Sequence, residues 1–210
     1  MQKVKIGVLI SGGGTNLQAL IDNIEKGLIN GEIAVVISDK KGVYGLERAR
    51  KHGISAIEID KREFNDRNDF MKAIINELES HEVELVVLAG FLSILSSDFI
   101  EKYRNRIMNI HPSLIPAFCG KGYYGQRVHK AVLEYGAKIS GATVHFVDEG
   151  ADTGPIILQE AVKVEEGDTP ESLAARILNV EHRLLPQAVK LYCEDKLIID
   201  GRKVRIRAQS

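Results

Sequence analysis

Apolar residues in the first half of the chain follow two alternating patterns. Short, β-branched, continuously apolar runs end at glycines or polar residues, which is typical of strands buried on both faces of a sheet. Between these runs the apolar positions recur every three or four residues, which is typical of amphipathic helices. We predict strands over 4–10, 33–37, 55–59, 85–89 and 106–111, and helices over 15–24, 46–52, 64–78 and 97–103.

The second half of the chain has longer β runs that follow one another directly. We predict helices over 128–135 and 170–191, strands over 139–147 and 155–164, and a hairpin over 197–206. Pro186 inside the long helix is expected to kink it. The fold class predicted is α/β, a single domain over 1–210 with one doubly wound, mostly parallel sheet, helices on both faces and an antiparallel strand in the C-terminal half.

Net charge, cysteine spacing and hydropathy limit the classes of partner that the protein can have. The formal net charge of −1 argues against a general nucleic-acid binder, which needs a basic face. The two cysteines, Cys119 and Cys193, fit no metal or redox spacing, and the first apolar run is too short for a signal peptide or a membrane span. We therefore expect a cytoplasmic protein with no nucleic-acid, membrane or metal partner, as a monomer or homodimer.

Candidate catalytic residues stand where the fifth strand ends. Asn109 and His111 alternate along that strand and so share a face, and Pro112 ends it because proline cannot donate to a sheet ladder. Asp152 lies in a glycine-flanked loop between two later strands. If that loop folds over the sheet edge, Asp152 meets His111, raises its pKa and fixes its tautomer, as an acid–base pair requires. The alternatives are a hydrogen-bonded loop histidine and an ordinary turn aspartate.

A glycine-rich turn joins the first strand to the first helix, and such turns form anion sites from backbone N–H groups and the positive helix end. Its residues are Gly12, Gly13, Gly14, Thr15 and Asn16. A dinucleotide fold is the main rival: its third glycine would fall on Leu17, which disfavours it, but Asp39 stands where a ribose-binding acid belongs. A tight turn without a ligand is the other alternative. We favour a phosphate monoester here.

Three segments together resemble the folate-dependent formyltransferase family, and within it the branch acting on phosphoribosylglycinamide (GAR). They are the turn at 11–17, the Leu88-Ala89-Gly90-Phe91 segment followed by 109–113, and 152–155. The resemblance implies a formyltransferase-like Rossmann variant that moves a formyl group from 10-formyltetrahydrofolate to the amine of GAR in purine biosynthesis, through a tetrahedral intermediate and without a metal. Its N-terminal half would bind phosphate, and its C-terminal half would hold the folate and the catalytic loop.

The same resemblance assigns roles to individual residues. Asn109, His111 and Asp152 are expected to be catalytic, with a protonated His111, and Glu181 on the last helix is expected to hold the ribose of GAR. The GAR-binding set also includes Gly12, Gly13, Gly14, Thr15 and Asn16. The folate-binding set is Arg67, Leu92, Ser93, Ile94, Leu95 and Asn109, with the backbone of 147–151.

The sequence departs from the family at two places. Ser93 replaces an arginine that many relatives carry beside the folate, and the 118–126 loop is longer than in many of them. Two related activities remain as alternatives. A formyltetrahydrofolate hydrolase usually has an extra N-terminal domain and a second histidine at the position of Pro112, and a methionyl-tRNA formyltransferase has a C-terminal RNA-binding domain. From another class, a nicotinamide-dinucleotide enzyme or a non-catalytic nucleotide-binding module also fits the residues.

Overall fold

The computed structural model describes residues 2–208 and divides into two compact units, Met1–Met108 and Asn109–Ser210. The first unit contains β1 (Val4–Ile10), α1 (Thr15–Glu25), β2 (Gly31–Ser38), α2 (Tyr44–Lys51), β3 (Ser55–Glu58), α3 (Arg67–Ser80), β4 (Leu85–Leu88) and α4 (Ser97–Lys102). A 3-10 turn, Lys61–Glu63, precedes α3. Strand β5 (Ile107–His111) carries the chain into the second unit.

The second unit holds fewer and longer elements. They are α5 (Gln126–Tyr135), β6 (Ile139–Phe146), β7 (Ile156–Lys163), α6 (Pro170–Cys193), β8 (Leu197–Asp200) and β9 (Lys203–Ile206). The predicted hairpin is therefore present as β8 and β9, which pair antiparallel. Helix α6 continues without a break through Pro186; the kink expected there stays a prediction.

The sheet has the strand order β3-β2-β1-β4-β5-β6-β7-β9-β8. In the first unit β1 pairs with β2 and β4 in parallel, and β2 pairs with β3 in parallel. In the second unit β6 and β7 are antiparallel. The predicted α/β fold, a mostly parallel sheet with antiparallel strands in the C-terminal half, is confirmed.

Close packing in the first unit depends on one glycine that the pattern analysis overlooked. Gly7 lies in the middle of β1, where Ile6, Val8 and Leu9 are fully buried. A Cβ at Gly7 would lie 2.5 Å from the Leu78 side chain of α3, so a larger residue would require that side chain to move. Helix α3 therefore packs closely on the strand that leads into the glycine-rich turn.

Capping residues set the boundaries of the helices. Helix α3 begins at Arg67, three positions after the predicted start, because the Asp66 carboxylate accepts the Asn68 N–H at 3.0 Å and caps the helix. Thr169 caps α6, with Ser172 completing a reciprocal capping box.

Among residues 2–208, no helix combines the length and apolarity needed to traverse a lipid bilayer.

Candidate active site

Strand β5 places the predicted amide and imidazole together. Asn109 and His111 are separated by one residue in an extended strand, so their side chains leave the same face. His111 is only 4% exposed, whereas Asn109 is half-buried. The strand ends at His111, as the following proline predicts.

Asp152 meets both of these side chains. Its Oδ2 lies 3.6 Å from His111 Nδ1, and its Oδ1 lies 3.5 Å from Asn109 Nδ2. The Gly120 N–H donates to Oδ2 at 2.8 Å and fixes the carboxylate. The three side chains predicted to be catalytic therefore converge, as expected from the sequence.

His145 of β6 is a fourth member of this cluster, and sequence reasoning missed it. Its Nδ1 donates to the Phe146 carbonyl at 2.8 Å, so its Nε2 accepts from Asn109 Nδ2 at 3.2 Å and lies 3.6 Å from Asp152 Oδ1. The available signal was a titratable side chain in a strand that is buried from Ser140 to Phe146. His145 orients the amide and contacts the carboxylate at once.

The tautomer of His111 follows from its partner. Its Nε2 lies 2.9 Å from the Phe118 carbonyl oxygen, which can only accept, so Nε2 carries the proton. In neutral His111 the lone pair of Nδ1 then faces the Asp152 carboxylate. Two acceptors cannot share a hydrogen bond, which explains the long separation of 3.6 Å between them. Nδ1 is therefore the nitrogen free to take a proton.

Backbone strain surrounds His111. Phe118 has φ 51° and Asp152 has φ 58°, in the left-handed region that non-glycine residues rarely occupy. Such residues cost roughly 1–3 kcal/mol each and cluster at functional sites. Here the two strained residues are those that supply the carbonyl and the carboxylate on either side of the imidazole ring.

The loop that delivers the Phe118 carbonyl is fixed by buried hydrogen bonds. Thr143 of β6 donates its hydroxyl to the Ser113 carbonyl at 2.6 Å, and the Ile115 N–H donates back to Thr143 at 3.1 Å. Gln159 of β7 donates to the Ile115 carbonyl at 2.9 Å. This second layer of contacts holds the loop, and with it the His111 tautomer, in one position.

Burial sets the charge of the cluster. It disfavours the imidazolium and lowers the pKa of His111 below its usual value, although the Asp152 charge and the Phe118 carbonyl both act to raise it, and His145 lowers it further. The Asp152 carboxylate does raise the pKa of His111, as predicted, but desolvation outweighs it, so the net shift is downward and disfavours the protonated His111 expected from the sequence. Burial alone would raise the pKa of Asp152, but contacts with His145, His111 and the Gly120 N–H lower it.

The glycine-rich turn lies in the first unit, against α2. The Gly45 N–H donates to the Gly12 carbonyl at 3.1 Å, and Arg48 Nε donates to the Gly13 carbonyl at 2.8 Å. Gly14 has φ 70° and approaches α2 so closely that a Cβ there would lie 2.8 Å from Gly45 Cα. Packing thus demands glycine at 14. No atom lies within 4 Å of a Cβ built at Gly12 or Gly13, so a tight turn alone does not explain those two glycines.

Both residues that bear on the dinucleotide alternative disfavour it. Leu17 is fully buried where the third glycine of that motif would stand. Asp39 is fully buried too, and its Oδ2 accepts the Ser93 hydroxyl at 2.6 Å. A ribose-binding acid must project from the sheet edge, so Asp39 is placed for an internal role instead.

The predicted folate segment is held by side chains of the same unit. Arg67 Nη2 donates to the carbonyls of Ile94 and Leu95 at 3.0 and 2.6 Å, and the Leu92 N–H donates to Ser11 Oγ at 2.9 Å. Arg67 therefore clamps the segment. Leu92 and Ile94 are exposed, whereas Leu95 is buried.

The remaining predicted residues lie on two helices. Thr15 and Asn16 open α1, where Thr15 is exposed and Asn16 is buried. Glu181 lies in α6 and is 9% exposed. Acids on helices usually face solvent, whereas this one is buried in the fold.

Sequence comparisons identify relatives over nearly the whole chain. The family model described as Formyl transferase matches residues 4–189. Trifunctional purine biosynthetic protein adenosine-3 of Gallus gallus is 48% identical over 189 residues, which is 90% of this chain and 18% of that protein. Phosphoribosylglycinamide formyltransferase, chloroplastic, of Vigna unguiculata is 41% identical over 198 residues, 94% of this chain and 64% of that protein. The chain thus spans less than two thirds of either relative.

Comparison of structures gives the same result. The crystal structure of glycinamide ribonucleotide transformylase 1 from Symbiobacterium toebii superposes with a TM-score of 0.93 at 49% identity, covering 98% of this chain and 94% of that one. The family match extends from β1 into α6, so it includes the glycine-rich turn and all four clustered side chains. The chain belongs to the formyl transferase family.

Proposed function

We propose that this protein transfers the formyl group of 10-formyltetrahydrofolate to the amine of GAR in de novo purine biosynthesis. The observation that carries the proposal is the contact of Asp152 with both Asn109 and His111. An amide donor, a buried imidazole with a free Nδ1 and an ionised carboxylate are the groups that formyl transfer to an amine requires. Relatives named for this activity support it.

The proposed reaction moves one proton. The GAR amine attacks the formyl carbon, which forms a C–N bond and places negative charge on the formyl oxygen and positive charge on the attacking nitrogen. The proton leaves that nitrogen for His111 Nδ1, directly or through Asp152. The carbon–N10 bond then breaks, the carbonyl re-forms, and the same proton passes to N10 of the departing tetrahydrofolate. No covalent enzyme intermediate is needed.

Each side chain has a distinct task in this scheme. The Asn109 amide donates to the developing oxyanion, and loss of one such donor typically costs about a hundredfold to a thousandfold in rate. His111 starts neutral, because burial lowers its pKa, and becomes charged as the proton arrives. Asp152 then stabilises the imidazolium. This order replaces the protonated His111 expected from the sequence.

Substrate binding is proposed for two further groups of residues. The N–H groups of the 12–16 turn, at the N-terminus of α1, suit the phosphate of GAR, and the carboxylate of Glu181 suits its ribose hydroxyls. The 92–95 segment, with exposed Leu92 and Ile94, suits the apolar part of the folate. The Ser93 hydroxyl donates to Asp39, so we propose that the folate contacts the backbone at this position.

We further propose a cytoplasmic, single-domain enzyme, a monomer or homodimer, that requires no metal, nucleic acid or membrane.

The test follows the absorbance change as 10-formyltetrahydrofolate loses its formyl group, with and without GAR. Mass spectrometry then identifies formyl-GAR in the same reaction. We expect no turnover until GAR is added, and one formyl-GAR for each folate consumed. Turnover without GAR would overturn the transferase assignment and indicate hydrolysis.

A further inference from the structure

Arg48 of α2 holds the glycine-rich turn and is not among the residues predicted to be catalytic or to bind substrate. Its Nε–H donates to the Gly13 carbonyl at 2.8 Å and its Nη1 donates to Gln18 Oε1 at 3.1 Å. The guanidinium also lies over the Tyr44 ring, 4.8 Å from its centroid. The Arg48 side chain therefore has three contacts, of which the one with the turn is to a backbone carbonyl.

Holding a carbonyl decides where the neighbouring N–H points. In a trans peptide the C=O and the following N–H point in opposite directions. The Gly12 carbonyl is bound by the Gly45 N–H and the Gly13 carbonyl by Arg48, both from α2. The N–H groups of Gly13 and Gly14 consequently point away from α2. Two consecutive N–H groups directed to one side at a helix N-terminus form an anion-binding nest.

Glycine makes this external support necessary. A peptide between two glycines has no Cβ to restrict it and rotates readily between orientations. Gly14 is restrained by its contact with Gly45, whereas Gly13 has no atom within 4 Å of a built Cβ. The orientation of the Gly13–Gly14 peptide thus depends on the hydrogen bond from Arg48.

We propose that Arg48 is a positioning residue for the acceptor's phosphate. Its hydrogen bond holds the Gly13–Gly14 peptide in the orientation that directs the Gly14 N–H toward the anion. The proposal rests on the proposed function, since it takes the turn as the phosphate site. It predicts a defect confined to one substrate. Binding lost equally from ground state and transition state raises KM without lowering kcat.

The test compares Arg48→Ala with Arg50→Ala. Arg50 lies on the same helix and pairs with Glu47 and Glu58, with no contact to the turn, so it controls for loss of a charge from α2. Loss of a hydrogen bond from a charged donor corresponds to about tenfold to a hundredfold in affinity. We expect KM for GAR to rise by about that factor in Arg48→Ala, with KM for the folate and kcat near wild type and Arg50→Ala unaffected. Arg48→Lys, which keeps one donor, should recover part of the loss.

Two probes separate this inference from the function beneath it. Inorganic phosphate as a competitor of GAR, and the acceptor without its phosphate as a substrate, report on the phosphate site alone. Suppose that wild type forms formyl-GAR, that inorganic phosphate does not compete with GAR, and that the acceptor without its phosphate reacts as well as GAR. The turn is then not the phosphate site, and the inference about Arg48 is refuted with it. If wild type discriminates and Arg48→Ala discriminates equally well, only the role of Arg48 is refuted. An equal rise in KM for GAR and for the folate would indicate a general folding defect and would also refute the role of Arg48. If Arg48→Ala does not fold, Arg48→Lys provides the same comparison.

Discussion

Replacing Asp152 by asparagine isolates the charge of the carboxylate. Asparagine is isosteric, and it is among the few residues that tolerate a left-handed conformation such as the φ of 58° at this position. Its carbonyl still accepts the Gly120 N–H, and its amide NH₂ takes the place of Oδ1, where it can donate to His145 Nε2 but no longer accepts from Asn109. We therefore expect a folded protein with near-normal binding of both substrates, which alanine would not guarantee because it adds strain.

The structure sets the size of the expected effect on rate. A full charge on Asp152 and an imidazolium on His111, 3.6 Å apart, attract each other by about 5 kcal/mol at an effective dielectric constant of about 20. This attraction is absent while His111 is neutral and appears as the proton arrives. General acid–base groups contribute about a hundredfold to ten-thousandfold in rate. We expect kcat of Asp152→Asn to fall within that range.

The pH profile provides an independent readout. The acid limb of kcat/KM should report protonation of His111, whose pKa burial has lowered. The Asp152 charge raises that pKa, so removing it must lower the pKa further. The acid limb of the residual activity should therefore move to lower pH in Asp152→Asn, not to higher pH.

Single-turnover measurement with both substrates saturating separates chemistry from binding, and calorimetry reports each affinity. Glu166→Gln is the matched control, because it removes one negative charge from an exposed position of the same unit that has no assigned part in binding or catalysis. Turnover of Asp152→Asn within about threefold of wild type would show that the carboxylate takes no part in the chemistry. An acid limb shifted upward would contradict the assignment of the limb to His111.

Four other substitutions test three separate parts of the structure. His145→Ala removes the acceptor of the catalytic amide, and we expect kcat to fall about tenfold with smaller changes in KM, measured by steady-state kinetics. Gly14→Ala should lower the free energy of unfolding by about 1–3 kcal/mol in urea titrations, because of its positive φ and its contact with α2, whereas Gly12→Ala should cost little stability yet weaken GAR binding. Asp168→Asn tests an ion pair: the hydrogen bond from Arg176 lowers the pKa of Asp168 to about 2, so wild type should melt at a higher temperature than the variant above about pH 5. The difference should shrink as the pH falls below that and disappear as it falls through 2.

Local pattern was sufficient for most of the fold. Each predicted strand and helix is present within a few residues, because buried parallel strands and amphipathic helices have distinct periodicities. Asn109 and His111 could be paired because strand alternation is a local rule. The contact between Asp152 and His111 could be predicted only on the condition that the loop carrying Asp152 folds over the sheet edge.

Features that depend on tertiary contacts could not be read from the sequence. The Phe118 carbonyl fixes the His111 tautomer, but a backbone carbonyl leaves no trace in residue identity. The net pKa shift of His111 depends on how deeply the ring is buried, so the upward effect of the neighbouring carboxylate, although predicted correctly, did not give the net direction. Arg48 resembled any other charged residue on an exposed helix until its partner, a glycine carbonyl, was located.

If Asp152 acts as proposed, the charges of this cluster make its carboxylate favour the transition state over the resting state. A permanent buried ion pair between His111 and Asp152 would require desolvation of both charges, which costs several kcal/mol per ion, and its attraction would already be present before reaction. Burial instead keeps His111 neutral at rest and leaves Asp152 ionised against N–H donors. In the proposed reaction the attraction develops only as the amine loses its proton, and only interactions stronger in the transition state accelerate a reaction. The strained backbone at Phe118 and Asp152 fits this view, because it holds the carbonyl and the carboxylate in place before any charge appears on the ring between them.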